Sequence, residues 1–94
     1  MRLEWHQGKA ARNEAKHGVT FVEAATVLLD PLAVIFDDEW HSGQEHREII
    51  VGRSDAGRLL VVCFVEREPE STRIVSARPA TNREREDYEE NTIN

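Results

Sequence analysis

Ninety-four residues supply one hydrophobic core and no room for a second; a chain this short buries only about 60–65% of the surface its unfolded form exposes. Eighteen acidic against 12 basic residues give a net charge of −6, which excludes attraction of nucleic acid by the overall field and leaves only a local basic patch for that purpose. The single cysteine, Cys63, excludes an intramolecular disulfide and a cysteine-built metal site. Residues 1–12 are polar and mixed in charge, unlike a signal peptide, and the longest apolar run, 59–65, is too short to cross a bilayer as a helix. A soluble, cytoplasmic chain without membrane contact is expected, folded as a single domain over 1–94.

Residues 7–17 are rich in helix formers, with Lys16 and His17 in the last turn and Gly18 placed to end the helix. Thr20-Phe21-Val22-Glu23 matches a capping box, with Thr20 as cap and Glu23 reaching back. Phe21, Ala24, Ala25 and Leu28 follow at helical spacing, and Asp30-Pro31 closes the segment. Residues 32–36 form an apolar run ending in the acidic turn Asp37-Asp38-Glu39. After a loop over 40–44, three more strands are expected at 47–52, 58–66 and 72–77, joined by turns at 54–57 and at Glu68-Pro69-Glu70-Ser71. Short turns favour an antiparallel meander. Thr81-Asn82-Arg83-Glu84 repeats the capping box and opens a highly charged helix with a thin apolar stripe of Ala80, Tyr88 and Ile93. The fold class is α+β, in the order α-α-β-β-β-β-α, with a four-stranded antiparallel sheet.

No phosphate-cradling glycine loop, serine-nucleophile motif or metal-ligand spacing is present, so neither metal nor cofactor is expected. Arginine placement stands out instead. Arg73, Arg78, Arg83 and Arg85 fall in one strand-to-helix passage, and Arg47, Arg53 and Arg58 on or beside the two preceding strands. The end of the sheet near Lys16 and His17 is a candidate cationic cup. Each residue has a plainer reading beside this one. Lys16 and His17 cap a helix dipole; Arg83 and Arg85 alternate with Glu84 and Glu86 on a solvated face; Arg47 pairs with Glu45. Tyr88, Trp5 and Trp40 anchor the core, and Cys63 is a buried hydrophobe.

Trp5, Lys9 and Asn13, then Lys16-His17-Gly18-Val19-Thr20-Phe21 with Ala24-Ala25, resemble the opening of BrnT toxins. Asp30-Pro31, Phe36-Asp37-Asp38, Glu45-His46-Arg47, Gly52-Arg53-Ser54 and Gly57-Arg58-Leu59-Leu60-Val61-Val62 resemble the middle of that family. Arg73-Ile74-Val75-Ser76-Ala77-Arg78, Ala80-Thr81, Glu84-Arg85 and Tyr88 resemble its close. The resemblance implies a RelE-like fold and a metal-independent endoribonuclease that blocks translation. It also implies a BrnA-type antitoxin with a ribbon-helix-helix domain, a 2:2 complex, and DNA contact only through that antitoxin. In such a site Arg78, assisted by Arg53 or Arg47, holds phosphate through its planar fork. His17 exchanges protons near neutrality, Lys16 supports it, Glu45 is the alternative base, and Tyr88 orients substrate or shares the acid role. Arg47, Arg73, Arg83, Arg85 and Lys9 bind RNA. The alternative function is an antitoxin-binding module with little or no catalysis, acting in a DNA-bound autorepressor complex.

Overall fold

The computed structural model describes residues 2–38, 43, 45–67 and 70–93. Its elements are β1 (Arg2–Glu4), α1 (Gln7–His17), α2 (Phe21–Thr26), a 3-10 turn (Val27–Leu29), β2 (Val34–Asp37), β3 (Arg47–Arg53), β4 (Leu59–Arg67), β5 (Ser71–Pro79) and α3 (Asn82–Ile93). The strands form one sheet in the order β1-β5-β4-β3-β2. Strands β2 to β5 are the expected antiparallel meander, but β1 pairs parallel with β5. The sheet is therefore five-stranded and mixed, and the expected four-stranded antiparallel sheet is corrected accordingly. Arg2, Leu3 and Glu4 carry no strand pattern of their own. They become a strand because the edge of β5 offers backbone partners, a tertiary effect that local propensity does not report.

Capping sets the helix limits. His6 Nδ1 accepts the Lys9 amide (3.2 Å), and Gly18, at φ 69°, donates its N–H to the Glu14 carbonyl (2.8 Å). Thr20 Oγ1 accepts the Glu23 amide (3.0 Å). Glu23 does not complete the expected box: its carboxylate takes Arg58 (Nη2–Oε1 2.6 Å, Nε–Oε2 2.9 Å) and the Ser54 hydroxyl (2.7 Å). A forked, charge-assisted pair outweighs one neutral amide. Strand β2 starts at Val34, two residues later than expected, because Asp30 Oδ1 accepts the Leu32 amide (2.9 Å) and holds that stretch in a turn.

Alternation along the paired strands sorts side chains onto two faces. On one, Val19, Phe21, Ala24 and Val27 pack against Ile50, Leu60, Val62, Phe64, Ile74 and Ala77. Trp5 meets Phe21 edge-on, ring centroids 6.1 Å apart, and so anchors the core as expected; Trp40 lies outside the described residues, as do Glu39, Glu68, Pro69 and most of the loop at 40–44. Buried Asn13 fastens α1 to β5: its Nδ2 donates to Val19 O (3.0 Å) and Ala77 O (2.8 Å), and its Oδ1 accepts the Ala77 amide (3.0 Å). The other face holds a smaller cluster, Val51, Leu59, Val61 and Tyr88 with Ile49 and Ala80. Tyr88 is the buried side chain of α3 among residues 82–91, in keeping with its thin stripe; the Ile93 side chain lies outside those described. No helix among the described residues is long and apolar enough to cross a membrane.

Candidate functional site

The face under α3 collects the strand arginines. Register puts Arg47, Val65 and Arg73 in one cross-strand row, and Val51, Val61 and Arg78 in another. Arg73 and Arg78 share that face because the ladder shifts between them: Cys63 pairs with Ser76 but Phe64 pairs with Ile74, leaving Val75 as a bulge. Arg47 and Arg78 stand two strands apart and four positions apart along the ladder, so their backbones lie diagonally across the face, roughly 16 Å apart at the usual strand dimensions. They flank an open groove of ≈ 300 Å³ floored by Ile49, Val61, Cys63 and Ser76, with Asp38 in its wall.

Arg78 leaves β5 beside the start of α3 and meets Glu84 through both forks, Nη1–Oε1 and Nη2–Oε2 each 2.8 Å. The capping box holds that carboxylate in place, with the Thr81 N–H donating to Oε1 (2.8 Å) and the Glu84 N–H donating to Thr81 Oγ1 (3.2 Å). The Arg78 guanidinium pulls the Glu84 carboxyl down to about 2, against the opposing effect of burial, and Glu84 in turn raises Arg78. Both are ionised throughout the neutral range. Cys63 is half-buried in the groove rather than sealed in the core, its thiol near Asp38 Oδ2 (3.9 Å). Burial, then the Asp38 charge, pushes that thiol up, so it serves as wall and not as nucleophile.

Arg53 and Tyr88 form a separate station. The Arg53 guanidinium sits 5.8 Å from the Tyr88 ring centroid. The Tyr88 hydroxyl donates to Asp30 Oδ2 (2.8 Å), which also accepts the Arg53 amide (2.7 Å). Burial, then the bond to Asp30, pushes the Tyr88 phenol up; its hydroxyl fastens α3 to the Asp30 corner. Lys16 and His17 approach the same end of the sheet as Arg78 but from the α1 layer, where Asn13 binds Ala77 and Gly18 O accepts Arg58 Nη2 (3.0 Å). Neither Lys16 nor His17 lines the groove that Arg47 and Arg78 flank. Glu45 meets Arg67 (3.7 Å) in the open. Arg73 approaches Glu4 (3.9 Å), and its buried Nε has no hydrogen-bond partner. Arg83 and Lys9 are exposed, and Arg85 is half-buried in α3.

The sequence reading passed over Asp38, Ser76 and the second task of Glu84. Strand parity carried the signal for the first two: Asp38 stands two residues beyond Phe36, and Ser76 two before Arg78. The Glu84 contact needs the fold. One group of described side chains has metal-ligand composition: Asp37, His46 and Glu48, with ligand atoms all within 4.8 Å of one another and His46 Nε2 3.0 Å from Asp37 Oδ1. Asp37 and Glu48 alternate with Asp38 and Arg47, so this group faces away from the groove.

Fold and groove together define a small α+β protein that concentrates its positive charge on one sheet face. Its structure is similar to the crystal structure of the Brucella abortus ribonuclease toxin BrnT, at TM-score 0.67 and 24% sequence identity, over 87% of this chain and 99% of that one. The model of the family described as "Ribonuclease toxin, BrnT, of type II toxin-antitoxin system" matches residues 5–84, and the chain belongs to that family. No curated protein sequence matches it.

Proposed function

We propose that the chain, as one RelE-like toxin domain, cleaves RNA without a metal on its arginine face, blocking translation in the cytoplasm until a BrnA-type antitoxin neutralises it. The observation that carries this reading is the groove flanked by Arg47 and Arg78 with Asp38 in its wall. The ribose 2′-hydroxyl attacks the adjacent phosphorus, a new O–P bond forms and the bond to the 5′-oxygen breaks. Asp38 takes the proton of the attacking oxygen, in place of His17 or Glu45, which lie outside the groove. The two guanidiniums stabilise the added charge on phosphorus, and water protonates the departing 5′-oxygen. Arg53, on β3, and Arg73, on β5, extend the cationic surface beyond the groove. The antitoxin carries a ribbon-helix-helix domain, forms a 2:2 complex and supplies the contact with DNA.

The test is incubation of antitoxin-free protein with total RNA in EDTA, beside Arg47→Ala, Arg78→Ala and Asp38→Asn. Cleavage that survives EDTA and drops in all three variants is expected. Intact RNA from folded wild-type protein favours the second reading, a module that binds antitoxin without cutting RNA. The Arg78–Glu84 pair is the observation on that side, since phosphate has to compete with a carboxylate already in place.

A further inference from the structure

Six large hydrophobic side chains are exposed among the described residues, and four of them, Leu29, Leu32, Ile35 and Phe36, fall within eight consecutive positions leading into β2. That strand is one of the two outer strands of the sheet. The Asp38 N–H donates to Arg47 O (2.9 Å), so by antiparallel alternation residues 34, 36 and 38 bond inward to β3, while Ile35 and Asp37 turn N–H and C=O outward. An apolar edge of this kind is a template for a further strand. Beside it, Val34, Phe36, Val51 and Tyr88 floor a crevice rimmed by Glu84 and Asp87.

We propose that the outer edge of β2 is where the antitoxin docks: an extended antitoxin segment adds to the sheet as its sixth strand. Its apolar side chains fall alternately on Ile35, on one face, and into the Phe36–Tyr88 crevice, on the other. Lysine or arginine side chains between them meet Asp37, Glu84 and Asp87. The charge of the rim selects this occupant. Residues 82–91 carry five carboxylates against two arginines, so a second copy of this chain brings the same negative rim to the edge, whereas a basic segment complements it. The proposal rests on the toxin–antitoxin reading above and adds the surface and the chemistry of the partner's segment.

The test uses the full chain and its cognate BrnA-type antitoxin, with affinity measured by titration calorimetry and backbone contact by amide hydrogen exchange. Ile35→Lys places a repelling charge at the edge, and Ile35→Pro removes an outward N–H without touching the β3 ladder. Val22→Lys, at a side chain 67% exposed on α2, is the control, and circular dichroism checks that each variant folds. The expected result is a loss of at least about tenfold in affinity for both Ile35 variants. Val22→Lys binds as wild type does, affinity falls with salt, and the antitoxin protects the amides at 35 and 37. Ile35 variants that bind like wild type, or protection that appears elsewhere, overturn the docking site and leave the toxin–antitoxin reading standing. A free chain that dimerises through this edge also overturns it. Wild-type protein that binds no antitoxin overturns both.

Discussion

The two faces of one sheet solve different problems with the same strands. Beneath α1 and α2 the apolar side chains interlock, and the buried polar residue Asn13 has its hydrogen bonds met. Beneath α3 the apolar patch shrinks to a few residues around Tyr88, and arginines occupy the rest. Burial on the first face stabilises the domain, and this leaves the second free to hold like charges close together at a cost to its own packing. An acidic protein can thus carry a cationic site, because the positive charge is sorted by face rather than by segment.

Substitutions that separate the faces sharpen this contrast or break it. Phe21→Ala empties the centre of the α1–α2 layer and should cost about 3–5 kcal/mol, read as a shift in the urea midpoint. Arg47→Ala should lower RNA cleavage about 100-fold while moving that midpoint by less than about 0.5 kcal/mol. A large loss of stability there would mean that the arginine face is structural after all. Tyr88→Phe deletes the donor to Asp30 and should cost about 1 kcal/mol, with faster amide exchange confined to α3. Glu84→Gln should cost less than Tyr88→Phe, below about 1 kcal/mol at pH 7 for a partly exposed pair. Folding depresses the Glu84 pKa from 4.5 to about 2, so the stabilisation is complete above pH 4.5 and is lost as the pH falls toward 2. Urea titrations of wild type and variant should therefore converge in acid. If Glu84 also restrains Arg78, the same variant should bind RNA more tightly.

Most of the scaffold was legible in the sequence, because helix ends and strand alternation are local. Gly18, Thr20 and Thr81 mark caps, and the valine-rich stretch over 59–65 marks the central strand. What stayed hidden depends on distant partners. β1 exists through the edge of β5. Glu23 forgoes its cap for Arg58, a residue 35 positions away. The family's BrnT-type residues were identifiable in order, yet their grouping was not: Lys16 and His17 end the helix on the other layer, Arg47 and Arg78 flank one groove diagonally across three strands, and Asp38 joins its wall only once β2 and β3 are aligned.

The bulge at Val75 bears on how this chain tolerates change in length. Arg73 and Arg78 are five positions apart, an odd number, so an unbroken strand would send them to opposite sides of the sheet. Deleting Val75 would leave them four positions apart, an even number, in a regular ladder, so both arginines would keep their face. Loss of the Val75 codon is therefore a change in length that the strand absorbs, whereas loss of a residue from β4 opposite, which has no bulge of its own, shifts every later side chain to the other side of the sheet.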